Sequence, residues 1–291
     1  MSFSEFVRAV DNPFRLKAME AGDWKMLETM QEDFASLLRK YLFVGGMPEA
    51  VANFADTGDY AAVRKTQREI LVAYDADFVK HAPPELLPKI RLLWNNIPAQ
   101  LAKENRKFIY TALKSGARAR EYEAALGWLD DAGMIHQVFR ASHPRLPLTS
   151  YQDFSAFKLY MHDVGLLGAM SGTAPSMLLD GNALFTNFKG ALTEQFVLQE
   201  LAANGIAANY WSSDSGNAEV EFVVQGAKDV FPIEAKAGIN TKAKSLRVYR
   251  ELFSPPYAIR TSLQPYHDGE CVKDIPLYAF GSHIARLVAA N

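Results

Sequence analysis

Residues Glu219 to Gly238, EVEFVVQGAKDVFPIEAKAG, place Glu221, Glu234 and Lys236 inside two apolar runs that read as strands. Side chains alternate faces along a strand, so Val220, Phe222 and Val224 share one face of the first run and Glu219 and Glu221 the other. In the second run Ile233, Ala235 and Ala237 stand opposite Glu234 and Lys236. Gly226 and the Lys228-Asp229 pair supply turn chemistry between the two. Antiparallel pairing can then gather Glu221, Glu234 and Lys236 on one face. Two adjacent carboxylates repel unless a proton or a cation lies between them. Such an oxygen-rich pair, Glu221 with Glu234, suits Mg²⁺ or Mn²⁺. A neighbouring lysine can orient an attacking water or stabilise charge on a phosphoryl group. The competing reading is a half-exposed hairpin whose polar face is solvated. E-x-K is a common tripeptide, and spacing alone leaves both readings open.

A hairpin of this kind needs a frame. From about Tyr151 the chain runs FKLYMHDVGLLGAMSG, the helix NFKGALTEQFVLQELAAN, and strands NYWSS, EVEFVVQ and VFPIEAKA. A basic helix TKAKSLRVYRELF, strands YAIRTS and IPLYAF and a last helix complete it. The order α-β-β-β-α-β implies a mixed sheet flanked by helices. The first third has helical periodicity, broken at Gly45-Gly46-Met47-Pro48, and YAAVRKTQREILVAYDADFVKH continues as a further helix up to Pro83-Pro84. Between Glu85 and Ser150 the pattern predicts helices over ELLPKIRLLWNNIPAQLAK, KFIYTAL and REYEAALGWLDDAGM, then strands MIHQVFR and LPLTSY around ASHPR. The third helix carries Tyr122, Ala125, Trp128 and Leu129 on one face and closes at Gly133. Three helices and a hairpin make a winged helix. The expected architecture is α+β multidomain: a helical region over residues 1–83, a winged helix over 84–150, and an α/β domain over 151–291.

Two sets of basic residues point to phosphate. Lys114, Arg118, Arg120, Arg140 and Arg145 fall on the winged-helix segment, and Lys242, Lys244, Arg247 and Arg250 on the basic helix. Glu121, Glu123, Asp130 and Asp131 crowd the would-be recognition helix, and carboxylates repel phosphates. Docking on DNA and docking on a protein therefore both remain open for that module.

The 291 residues, 49% of them hydrophobic, provide for two or three domains with an ordinary core. A net charge of −2 excludes a strongly basic nucleic-acid coat but not local patches. Cys271 is the single cysteine, so no internal disulfide forms and a reducing cytoplasm fits. The start MSFSEFVRAVDNPFRLK has no apolar signal core, and no stretch is apolar enough to span a bilayer. No membrane partner is expected.

YLFVGGMPEAV, FKLYMHDVGLL, GALTEQFVLQEL, EVEFVV and PIEAKAG resemble, in order and spacing, the C-terminal part of a large prokaryotic family of AAA+-type ATPases. In that family a P-loop ATPase module precedes a winged helix and a domain of unknown function. The last domain is similar to the PD-(D/E)xK nucleases, with a restriction-endonuclease-like fold. The resemblance implies Glu194 in LTEQFV as the helix glutamate, Glu221 where the family usually has Asp, and Glu234 and Lys236 as the E-x-K pair. Glu194 on its own reads as a solvated helix residue, and the extra methylene of Glu221 strains ideal Mg²⁺ geometry. The resemblance thus implies a catalytic set of Glu194, Glu221, Glu234 and Lys236.

The ATPase half has no counterpart here. No G-x-x-x-x-G-K-[ST] occurs, and VGGMPE lacks the Lys and Ser/Thr that cradle phosphate and Mg²⁺, so no ATP site is expected. SFSEF, Ser2 to Phe6, resembles the segment that closes the ATPase module, and the chain is expected to be a C-terminal part or a shortened member. The six histidines form no HExxH, and His162 reads as structural. No G-x-S-x-G elbow occurs.

Overall fold

The computed structural model describes residues 1–103, 107–179, 186–238 and 244–289. Seven helices come first: α1 (Phe3–Val10), α2 (Pro13–Ala21), α3 (Trp24–Thr29), α4 (Gln31–Val44), α5 (Pro48–Thr57), α6 (Tyr60–His81) and α7 (Leu87–Leu101). Local chemistry sets their ends. Ser2 and Glu5 form a capping box on α1, Asn12 caps α2 with Pro13 at its first position, and Asp59 caps α6. After α7 come α8 (Glu123–Asp131), β1 (Ile135–Ala141), β2 (Gln152–Met161), α9 (Val164–Met170), α10 (Pro175–Leu179) and α11 (Thr186–Ala203). The chain ends with β3 (Ala208–Ser212), β4 (Glu219–Gln225), β5 (Val230–Ala235), α12 (Lys244–Phe253), β6 (Ala258–Ser262), β7 (His267–Asp268), β8 (Val272–Pro276) and α13 (Phe280–Ala289).

The strands form one eight-stranded mixed sheet in the order β2-β1-β3-β4-β5-β6-β8-β7. The protein is α+β multidomain, with a helical N-terminal region, as its periodicity implies. Four local expectations fail. LPLTSY is not a strand: Leu148–Tyr151 is a 3-10 turn, and β1 pairs instead with β2. The hairpin is no free-standing wing either, because β1 also pairs parallel to β3 through Arg140 and Tyr210. KFIYTAL shortens to a 3-10 turn at Tyr110–Ala112, because Phe108 donates its N–H to Phe157 and stacks on that ring, drawing the segment onto β2. Between residues 84 and 150 there are thus two α-helices, not three. IPLYAF leaves the sheet at Pro276, which has no N–H to extend a ladder, and becomes a 3-10 turn leading into α13.

Phe222, Val224, Phe231, Ile233 and Ala235 enter the large core, while Val220, Val223 and Val230 join a smaller one with Leu246 and Tyr249 of α12. The large core is organised around a buried polar knot. Asp163 caps α9 through Leu166 N (2.9 Å) and accepts from Gly46 N (2.6 Å) and Gln199 Nε2 (3.2 Å). Gln199 also reaches the Tyr41 hydroxyl at 2.9 Å and accepts from Val164 N at 2.9 Å. Gln67 caps the end of α4 by donating to Phe43 O and Val44 O. Gly45 has φ +76, and a Cβ there would run into the Asp163 carboxylate. VGGMPE and MHDVGLL are therefore two halves of one packing contact. His162 belongs beside them, between the Tyr74 hydroxyl (3.2 Å) and Met134 O (3.0 Å).

A second buried acid, Glu200 of α11, accepts from Phe3 N at 2.7 Å and packs so tightly on Gly281 that no Cβ fits there. Burial pushes its carboxyl up to about 7. The folded protein thus holds a proton that the unfolded chain, with a carboxyl near 4.5, releases. The stabilising contribution is complete below about 4.5 and is lost as pH rises through about 7. Glu200→Gln keeps the acceptor for Phe3 N and should flatten this slope. Urea unfolding at pH 5 and pH 8 reads it, and an unchanged slope in the variant would assign the proton elsewhere.

Candidate functional site

On the β4–β5 hairpin, Phe222 pairs with Ile233 and Val224 with Phe231. One step further, Glu221 comes opposite Glu234. The other edge of β4 is irregular: β3 advances from Asn209 to Trp211 while β4 moves from Val223 to Val220. The extra residue falls at Glu221–Phe222. This is a bulge, which bends the strand and re-aims a side chain. It also breaks the simple alternation expected of β4, since Val220 and Val223 share the smaller core.

Glu221, Glu234 and Lys236 do come together. Lys236 Nζ lies 2.5 Å from Glu234 Oε1 and 3.4 Å from Glu221 Oε1. The Glu234 side chain is 3% exposed and that of Glu221 13%. One oxygen on each, Oε2, is buried with no hydrogen-bond partner. Burial, and then the charge of Glu221, pushes the Glu234 carboxyl well above the ordinary carboxylate range, with Lys236 opposing. Burial pulls the Lys236 ammonium down, but Glu221 and Glu234 more than offset it, and its pKa ends above the usual value. Two buried acceptors facing no donor call for a proton or a cation between them.

Glu194 is buried, not solvated, and accepts from the Tyr160 hydroxyl at 3.1 Å. Among the described residues no three His, Cys, Asp or Glu side chains converge on one metal position. Glu221 and Glu234 are the carboxylates that would hold a hard cation there, in the way one or two carboxylates hold Mg²⁺. The three-glutamate cluster implied by the resemblance does not form as one ligand set.

Two residues escaped the sequence reading. Lys158 of β2 is fully buried, with Nζ 2.5 Å from Glu219 Oε1 and 5.0 Å above the Tyr210 ring. Tyr160, two residues on, packs on Phe222 and links Glu194 to the same region. A lysine within the apolar run FKLYM was the available signal, of the same kind that singled out E-x-K.

The basic residues separate into different settings. Arg140 is committed to Asp153 at 2.9 Å. Lys114, Arg118 and Arg120 are exposed on the irregular segment before α8 and not on a recognition helix. Arg145 lines a groove with Lys228, Tyr249 and Phe253. Lys244 and Arg247 are exposed on α12 and Arg250 is half-buried, while Lys242 lies outside the described residues.

Residues 35–176 match the profile of a family described as a domain of unknown function (DUF8612), and residues 189–280 match a second, the domain of unknown function DUF4143. No curated protein and no solved structure matches the chain. Among the described residues no helix is long and apolar enough to cross a membrane.

Proposed function

We propose that Glu221, Glu234 and Lys236 form a divalent-cation site for phosphodiester chemistry on nucleic acid, DNA being the first candidate, in a cytoplasmic protein related to the C-terminal part of an AAA+-type ATPase. The observation that carries this reading is the pair of orphaned, buried Oε2 atoms beside Lys236. Mg²⁺ or Mn²⁺, held by Glu221 and Glu234, would supply Lewis-acid polarisation of a phosphoryl oxygen. Lys236 donates to Glu234 and is placed to orient an attacking water or to meet charge on a phosphoryl oxygen. Glu194, through Tyr160 of β2, supports the ring contact with Phe222 of β4. With no P-loop pattern in the sequence, this chain would not hydrolyse ATP.

A second reading has its own support. Lys236, with a proton on Glu234, already neutralises the pair, and Glu121, Glu123, Asp130 and Asp131 lie exposed around α8. On that reading the chain is a regulatory module that docks on an ATPase or another protein, with the nuclease-like face idle.

Incubation with single- and double-stranded DNA and RNA plus Mg²⁺ or Mn²⁺ separates the two. Cleavage that disappears in Glu234→Ala supports phosphodiester chemistry. No cleavage together with no metal affinity leaves the docking module. A cation bound only by the folded state should add about 2.7 kcal/mol of stability at a hundredfold excess over its Kd. Glu221→Gln should match or exceed the parent in metal-free melting temperature and lose most of the Mn²⁺ response. If it melts lower and responds like the parent, Glu221 is an ordinary structural carboxylate.

A further inference from the structure

Helix α12 joins two parts of the surface that are far apart in sequence. Its inner side places Leu246 and Tyr249 against Val223 and Val230. Lys244 and Arg247 are exposed on another side, and Arg250, a turn on, is half-buried at its margin. At the C-terminal end of α12, Tyr249 and Phe253 line a groove of about 300 Å³ with Val230, Lys228 and Asp229 of the hairpin turn and with Pro144, Arg145 and Leu146. Ser254, on the groove's lip, has φ +47, the one positive φ outside glycine among the described residues. The Arg145 loop is fixed there, because Leu148 N donates to Gln225 Oε1 at 2.7 Å. α12 packs on β4 and β5, and β5 runs from Val230 in this groove to Ala235 beside Lys236.

We propose that the basic side of α12 and the groove at its end form one phosphate-backbone track, along which a nucleic-acid strand runs from the carboxylate pair to Arg145 and Lys228. The track rests on the phosphodiester reading of Glu221 and Glu234. Five basic residues, Lys244, Arg247, Arg250, Arg145 and Lys228, lie on α12 or in the groove, with Asp229 in the groove and Glu251 paired to Arg247 at 3.7 Å, in a chain of net charge −2. Charge is therefore segregated toward this side, which attracts a polyanion. The ten residues of α12 extend about 15 Å, the length of about four phosphates along one duplex strand. Phosphate contacts hold a strand without reading its sequence, and the track predicts binding that is salt-dependent and sequence-tolerant.

Fluorescence polarisation in EDTA, with a fluorescein-labelled 20-mer as duplex and as single strand, tests this without catalysis. The Arg145→Glu/Lys228→Glu variant should bind about tenfold or more weakly, with a salt slope shallower by about 2. Lys17→Glu/Lys25→Glu changes net charge equally, lies on exposed N-terminal positions, and should bind like the parent. The track is overturned if the parent does not bind either probe. It is equally overturned if both double variants lose the same affinity, or if Arg118→Glu/Arg120→Glu alone takes the slope. Binding that behaves as expected, without cleavage when metal is added, would sink the phosphodiester reading and keep the track. Cleavage with an unchanged KM in Arg145→Glu/Lys228→Glu would do the reverse.

Discussion

Glu219→Ala should destabilise the protein by about 3–5 kcal/mol, more than any other single substitution of a partly exposed residue in the hairpin. Lys158 is 0% exposed, and its Nζ rests 2.5 Å from Glu219 Oε1. Burial pulls the Lys158 ammonium down, but Tyr160, Glu219 and Glu221 more than offset it, and it stays charged. Without Glu219 that charge remains buried with its close counter-ion gone, which is the expensive way to break such a pair. Replacing both members should cost far less. Lys158→Met/Glu219→Leu keeps the volume, removes the charge and should unfold in urea within about 1.5 kcal/mol of the parent. A loss below about 1 kcal/mol in Glu219→Ala would show that Glu221 alone compensates Lys158. Lys158 would then be part of the carboxylate site and not its neighbour.

Asp163→Ala should cost about 3 kcal/mol or more. It removes the cap of α9, worth about 1 kcal/mol, and strands the buried N–H of Gly46 at about 1–3 kcal/mol. Gly45→Ala should be comparably damaging, since its Cβ meets the Asp163 carboxylate and its backbone has φ +76. The two costs should not add. Deleting the carboxylate removes one of the two groups the methyl meets, the other being Gly165 N, so the double variant should be more stable than the sum of the singles implies. Strict additivity in denaturant unfolding would mean that the contact with the carboxylate carries no strain and that the positive φ and the nearby Gly165 N require glycine.

What could be read from the sequence was local. The close of α8 at Gly133, the helix break at Gly45-Gly46, the span of α6 and the β4–β5 hairpin follow from neighbours within a few residues. So did the meeting of Glu221, Glu234 and Lys236, because a tight hairpin fixes its own register. What failed depends on distant partners. The bulge at Glu221–Phe222 exists only because β3 pairs there out of step. Gly46 meets Asp163 across 117 positions, and nothing near either residue announces the contact. Lys158 stands out within its apolar run, but its partner Glu219 is not evident until β2 and β4 are placed in one sheet. LPLTSY has strand composition, but β1 found a longer partner in β2.

The pairing of Arg140 with Tyr210 has a consequence for dissection. It is the seam at which the β1–β2 hairpin joins the remaining six strands, reinforced by Asn209 Nδ2 donating to Phe139 O at 3.1 Å. A fragment beginning after α10 would keep the carboxylate hairpin but leave β3 as a bare edge, its N–H and C=O groups open to any passing strand. It would also lose Lys158 from beside Glu219. Excision therefore exposes a sticky margin and unbalances a charge together. The two halves of the sheet behave as one unit of inheritance, and neither can be traded without the other.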